Sequence, residues 1–131
     1  MSQDLWLNLP VKDLATSIAF YQALGFERNM GPGNTDSSAC FMVGEKRVVL
    51  MLFLNPVFSR FSGVAISDTN IGAEVLISIG ASSAAQVDDF AKRALTGGGR
   101  VFSEPGAAGG GMVGCGLCDP DGHRWNVLFM G

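Results

Sequence analysis

Apolar and polar residues alternate near the start of the chain, where Leu7, Leu9 and Val11 are separated by Asn8 and Pro10. A period of two places the three apolar side chains on one face, which predicts a strand over Trp6 to Val11 with one side buried. The period then lengthens. Leu14, Ile18, Tyr21 and Leu24 recur at helical spacing, Asp13 stands where a carboxylate accepts an orphan N–H of the first turn, and Gly25 supplies the stop. Phe26 to Met30 reads as a short strand, Gly31-Pro32-Gly33-Asn34 as a turn, and Cys40 to Val43 as a strand. Gly44-Glu45-Lys46 is a hairpin turn leading into an apolar strand from Arg47 to Leu54.

The same order returns in the second half. Glu74 to Ile79 alternates, Ser83 can cap a helix whose stripe is Val87, Phe90, Ala91 and Ala94, and Gly97-Gly98-Gly99 ends it. Short strands follow at Arg100 to Phe102, Met112 to Cys118 and Arg124 to Phe129. Sliding the first half forward by 70 positions lays Leu7 on Ile77, Leu9 on Ile79, Asp13 on Ser83 and Phe20 on Phe90. The unit is strand-helix-strand-strand-strand, used twice, and spacing rather than identity carries the repeat. This predicts an α+β chain of one domain, with modules at 5–54 and 73–130 and a connector at 55–72. Gly106 to Gly111 reads as a flexible loop in the second module.

Composition narrows the choices. The chain has 131 residues, 47% of them apolar and 16% charged, with net charge −3. That is enough for one ordinary core, and the sparse charge argues against disorder. No Lys/Arg cluster offers the basic footprint that nucleic acid requires. The longest apolar run, Val48 to Leu54, is far short of the roughly 20 residues of a membrane helix. Met1-Ser2-Gln3-Asp4 has no basic or apolar leader character, and an odd count of 3 cysteines suits a reducing compartment, so a cytoplasmic location is expected. The 1 histidine, His123, excludes a His-rich metal site within one chain.

Leu7-Asn8-Leu9-Pro10-Val11-Lys12-Asp13-Leu14, then Ser17, Phe20-Tyr21 and Leu24-Gly25-Phe26, resembles the opening of the vicinal oxygen chelate superfamily, which includes glyoxalase, bleomycin-resistance proteins and extradiol dioxygenases. Asp119-Pro120-Asp121-Gly122-His123-Arg124-Trp125 is similarly that family's turn before its last strand. The resemblance runs from Trp6 to Met130. It implies paired βαβββ modules, each a curved mixed sheet forming a cleft with helices outside, within a homodimer.

The family's metal enzymes take one ligand from each of four strands: His or Gln, Glu, His, Glu. Imidazole and carboxylate oxygen suit Zn, Ni, Fe or Mn and leave positions for substrate. Carried onto this chain, the resemblance puts those positions at Trp6, Met51 or its neighbour, Leu76 and Asn126. None is a carboxylate or imidazole, so no cofactor and no metal are expected. The expected ligand-binding residues are Trp6, Asn8, Met51, Leu76 and Asn126, an aromatic and apolar floor with amides to orient a guest.

Two residues are candidates for catalysis. Glu74, two residues before Leu76, falls on the same strand face if the pairing is regular, as a general base or a surviving ligand; its plainer reading is a solvated strand-end carboxylate. His123 has a pKa range suited to proton transfer, but in a turn it more simply caps backbone. Cys115-Gly116-Leu117-Cys118 has the C-x-x-C spacing of redox and zinc motifs. A redox pair opens a helix, whereas this one precedes a turn. On a regular strand its thiols face opposite sides, about 10 Å apart, so small apolar packing is the default. The Gly97 and Gly109 triplets lack the Lys-Ser/Thr of a P-loop; the first is a helix stop, and the second is read as a mobile loop near the cleft.

The function expected is metal-independent binding or sequestration of a small hydrophobic or aromatic molecule, without catalysis. One alternative is a metal-dependent lyase or dioxygenase relative, with the divalent metal held by Glu74 and Asn126. Another is a dimeric interaction module without a ligand, suggested by Val48 to Leu54 being apolar on both faces, as in a central strand or one covered by a partner.

Overall fold

The computed structural model describes residues 3–131, so Met1 and Ser2 of the segment inspected for a leader lie outside the described residues. The chain divides between Ser67 and Asp68 into two compact units, at a point inside the 55–72 connector.

The first unit holds β1 (Trp6–Val11), α1 (Leu14–Leu24), β2 (Glu27–Arg28), β3 (Ser38–Val43), β4 (Val48–Leu54) and α2 (Asn55–Ser62). Helix α1 starts where Asp13, in extended conformation, accepts from the Thr16 N–H at 3.0 Å, and it ends at Gly25, whose φ of 96° needs a residue without Cβ. Its buried face is Ser17, Phe20, Tyr21 and Leu24. The strands lie in the order β1-β4-β3-β2, with β1 parallel to β4 and β4 antiparallel to β3. The register puts Val11, Leu50, Leu52, Ala39 and Phe41 on one face, all fully buried. Tyr21 reaches this layer, with ring centroids 5.0 Å from Phe20, 5.8 Å from Phe26 and 5.9 Å from Phe41. Each such side chain withdrawn from water contributes about 1.5–3 kcal/mol, so this layer holds the unit together.

β4 is apolar on both faces because it is a central strand with neighbours on either side, not an edge that needs a partner. Helix α2 lies in the segment read only as connector. Pro56 occupies its first turn, no side chain caps it, and Phe61 meets Phe53 edge-on at 5.2 Å.

The second unit repeats the arrangement with β5 (Ile77–Gly80), α3 (Ala84–Thr96), β6 (Arg100–Gly109), β7 (Met112–Cys118) and β8 (Arg124–Phe129). Its order is β5-β8-β7-β6, again with the first strand parallel to the last. Ser83 caps α3 by accepting from the Gln86 N–H at 3.0 Å, and Val87, Ala91 and Ala94 form the buried face. Phe90, expected in that stripe, is half-buried. Ile77 and Ile79 pair with Trp125 and Val127, which pair in turn with Leu117 and Cys115 on the face turned to α3. The fold is therefore α+β, two βαβββ modules in tandem.

Two boundaries differ from the sequence pattern. β5 begins at Ile77, so Glu74 and Leu76 precede the strand rather than sharing one of its faces. The expected loop at Gly106 to Gly111 is absent: β6 runs from Arg100 to Gly109 and turns back tightly into β7. Gly109, Gly110 and Gly111 all have positive φ (89°, 60° and 80°), so the glycines make a hairpin turn and not slack.

The closing Asp-Pro-Asp-Gly turn is a compact hydrogen-bonded unit. The Asp119 carboxylate, almost fully buried, accepts from the N–H groups of Asp121 at 3.0 Å and His123 at 2.8 Å. The Thr69 hydroxyl donates to the Asp121 carbonyl and occupies the space that a Cβ on Gly122 would need.

Candidate functional site

Each sheet has one face against its helix, and the other carries the candidate residues. In the first unit, Trp6 pairs with Val49 and Asn8 with Met51, which places Trp6, Asn8 and Met51 on the face turned away from α1. Trp6 is 61% exposed and Asn8 is exposed. Met51 is only 7% exposed. A Cβ on Gly33 would stand 3.3 Å from its Cε and 3.2 Å from the Cβ of Cys40, so the turn at Gly31 to Asn34 lies directly over it.

That turn is pinned by Asn34. Its Oδ1 accepts from the Cys40 N–H at 3.2 Å and from Arg28 Nη2 at 2.8 Å, and its amide donates to the Gly31 carbonyl at 3.1 Å. Ser38 Oγ donates to the Gly33 carbonyl at 2.8 Å. A turn held at both ends keeps Met51 and Cys40 covered, and burial pushes the Cys40 thiol pKa up.

In the second unit, Asn126 pairs with Ser78 and Gly116 on the face turned away from α3, and its amide donates to Ser78 Oγ at 3.3 Å. Leu76, 55% exposed, lies just before β5. Glu74 is exposed in the bend before it, and nothing joins it to Asn126. The backbone of His123 belongs to the Asp119 turn.

The sequence pattern did not single out Phe102 or Arg124. The pairing of β6 with β7 shifts between Val101 and Ser103, so Phe102 is the extra residue of a bulge. The bulge turns its ring over Gly116, where an added Cβ would lie against Phe102 Cζ, closer than van der Waals contact allows. The Arg124 guanidinium stacks on that ring, 4.4 Å from its centroid. The signal available in the sequence was Gly114-Cys115-Gly116, two glycines in a strand, which marks a close approach by another group.

The cysteine pair is structural. β7 runs unbroken through Cys115 and Cys118, and both thiols are free and buried. Cys115 Sγ donates to the Val87 carbonyl of α3 at 3.7 Å. Burial, reinforced by Asp88 and Glu104, pushes its pKa up to about 11, the opposite of a reactive thiol.

The donor chemistry at the four inherited ligand positions is an indole, a thioether, an isobutyl group and a carboxamide, which does not fit a resident divalent ion. Among the described residues, no group of three or more His, Cys, Asp or Glu stands close enough to hold one.

The family model of the glyoxalase/bleomycin resistance protein/dioxygenase superfamily matches residues 5–127. The chain belongs to this superfamily. Among solved members of the fold, the hypothetical protein SA1046 from S. aureus is 33% identical, with a TM-score of 0.86 over 98% of this chain and 95% of that one. A glyoxalase-related enzyme from Fulvimarina pelagi is 21% identical, with a TM-score of 0.83 over 98% and 88%. A bleomycin-binding protein, solved in complex with bleomycin, is 18% identical, with a TM-score of 0.64 over 98% of both chains. No curated protein matches the sequence. In this superfamily member, then, the duplicated fold is retained.

Proposed function

We propose that the protein binds a small hydrophobic or aromatic molecule on the sheet faces turned away from α1 and α3, without a metal ion and without changing the ligand covalently. The observation that carries this reading is Trp6, an indole 61% exposed on an ordered strand with the Asn8 amide on the same face. An exposed indole beside a polar anchor suits burial and stacking of a planar guest. The likeness to a bleomycin-binding protein, solved in complex with bleomycin, supports the reading that a small molecule binds. Asn126 and Leu76 are the corresponding candidates on the second unit.

Zinc, nickel, iron and manganese analysis of protein purified without chelator is expected to give well below one equivalent; a near-stoichiometric metal overturns the reading in favour of a lyase or dioxygenase relative using Glu74 and Asn126. A panel of planar aromatic compounds is then titrated against intrinsic fluorescence. Saturable quenching in the parent and its loss in Trp6→Phe are expected. A folded Trp6→Ala variant that keeps every affinity overturns the site.

A homodimer in the cytoplasm is part of the same proposal. It is supported by exposed apolar side chains at Leu5, Ile71, Val75 and Met130 and by three free thiols. Light scattering at micromolar concentration that gives a monomer contradicts it. No helix among the described residues is long and apolar enough to cross a membrane.

A further inference from the structure

On the helix-free face of the second sheet stands a cation with no acid to answer it. Arg124 is half-buried, and among the described residues it forms no ion pair; the ion pairs Arg47–Glu27 and Arg93–Asp89 are elsewhere and exposed. Its guanidinium is held by stacking on Phe102, 4.4 Å from the ring centroid. The ring is in turn held by a β-bulge and by the missing Cβ of Gly116. Bulge, glycine and ring thus act together to fix the position of one charged group. Two residues on, and on the same face, Asn126 hydrogen-bonds Ser78. Residues i and i+2 of a strand have Cα atoms about 7 Å apart on one face, so the guanidinium and the amide–hydroxyl pair are two polar points on the same side of the sheet.

We propose that Arg124 is an anion-binding residue: the planar ligand carries a carboxylate that pairs with the guanidinium and a hydrogen-bonding group that reaches Asn126 and Ser78. This inference rests on the reading of the protein as a small-molecule binder and names the class of molecule. A planar guanidinium matches a carboxylate through paired N–H donors, and its contact with Phe102 lowers the entropy lost when the pair forms. Arg100, exposed at the far end of the same cross-strand row (Arg124, Cys118, Arg100), adds positive charge to this face. Phe102 is a positioning residue, since its ring lies between Gly116 and Arg124. An overall charge of −3 by itself mildly favours neutral or cationic guests, and the local positive charge at Arg124 opposes that preference on this face.

The test compares naphthoate with naphthamide, which share a ring system and differ in charge, by calorimetry on the full chain. The parent is expected to bind naphthoate roughly tenfold more tightly than naphthamide, a difference expected of a charge-assisted pair. Arg124→Gln is expected to abolish the preference and keep naphthamide binding. Lys92→Gln, the same charge change on the exposed side of α3, is expected to keep it. Phe102→Leu is expected to erode the preference at unchanged melting temperature, and Phe102→Tyr to restore it. Equal affinities for the two probes in the parent, or a preference that survives Arg124→Gln, overturn this inference and leave small-molecule binding standing. Failure of both probes to bind overturns it together with the reading on which it rests.

Discussion

Asp13 and Ser83 make the same hydrogen bond in the two halves of the chain, each accepting from the N–H three residues on, Thr16 in one case and Gln86 in the other. The 70-residue offset that relates the caps also relates their donors, so the duplication reaches individual hydrogen bonds. It extends to the pairing of parallel strands: Leu7 stands opposite Leu50 as Ile77 stands opposite Trp125.

Removing either cap therefore has the same cost. Asp13→Ala and Ser83→Ala are each expected to lower stability by about 1 kcal/mol, while Asp13→Ser and Ser83→Asp stay near the parent, because any of these side chains can accept from the first turn. Urea denaturation checks this. A cost confined to one half would show that the two caps are not equivalent.

Gly116 and Phe102 are expected to be strongly coupled. Gly116→Ala places a Cβ against the Cζ edge of the Phe102 ring, closer than van der Waals contact allows, which forces the ring and Arg124 to move. Overpacking of this kind costs about 1–3 kcal/mol. Combining Gly116→Ala with Phe102→Leu is expected to recover part of that loss, which a double-mutant cycle by urea denaturation measures. Additive effects would separate the two residues.

The two tryptophans lie in opposite environments, Trp6 at 61% exposure and Trp125 fully buried. Acrylamide is expected to quench the native protein in two fractions. Trp6→Phe should leave only the protected, blue-shifted emission of Trp125 until the chain unfolds. Readily quenched emission in that variant would mean that the second core is open.

Cys115 predicts a pH dependence with a definite sign. Its ordinary pKa is 9.0, and burial against α3 raises it to about 11 in the folded chain. Between those values the folded protein holds a proton that the unfolded chain has lost, so this contribution is complete below pH 9 and is lost as pH rises through 11. Stability is expected to fall less steeply over that window in Cys115→Ala than in the parent, by urea midpoints at each pH. Iodoacetamide at pH 8 is expected to leave Cys115 unlabelled until the fold is opened.

Much of the fold was legible because local periodicity and local capping carry it. The strand at Trp6–Val11, the helix between Asp13 and Gly25, the cap at Ser83 and the two-module order all follow from residues near one another in sequence. Helix α2 escaped because no side chain caps it and its Asn-Pro start resembles a break; Pro56 in the first turn was the signal available. Gly106 to Gly111 was misjudged because glycine serves both slack loops and positive-φ turns, and the difference lies in pairing with β7.

Residue type and spacing along the chain carry the duplication and the family, since both are local properties of the sequence. Tertiary structure decided which of the candidate residues a ligand could meet. Met51 shares a face with Trp6 yet lies under Gly33, and Leu76 falls outside the strand it was expected to join. It also decided that Phe102 and Arg124, 22 positions apart, lie in contact. A bulge in one strand, a missing Cβ in the next and a stacked cation on a third meet only after the strands pair, and no period along a single strand encodes that meeting.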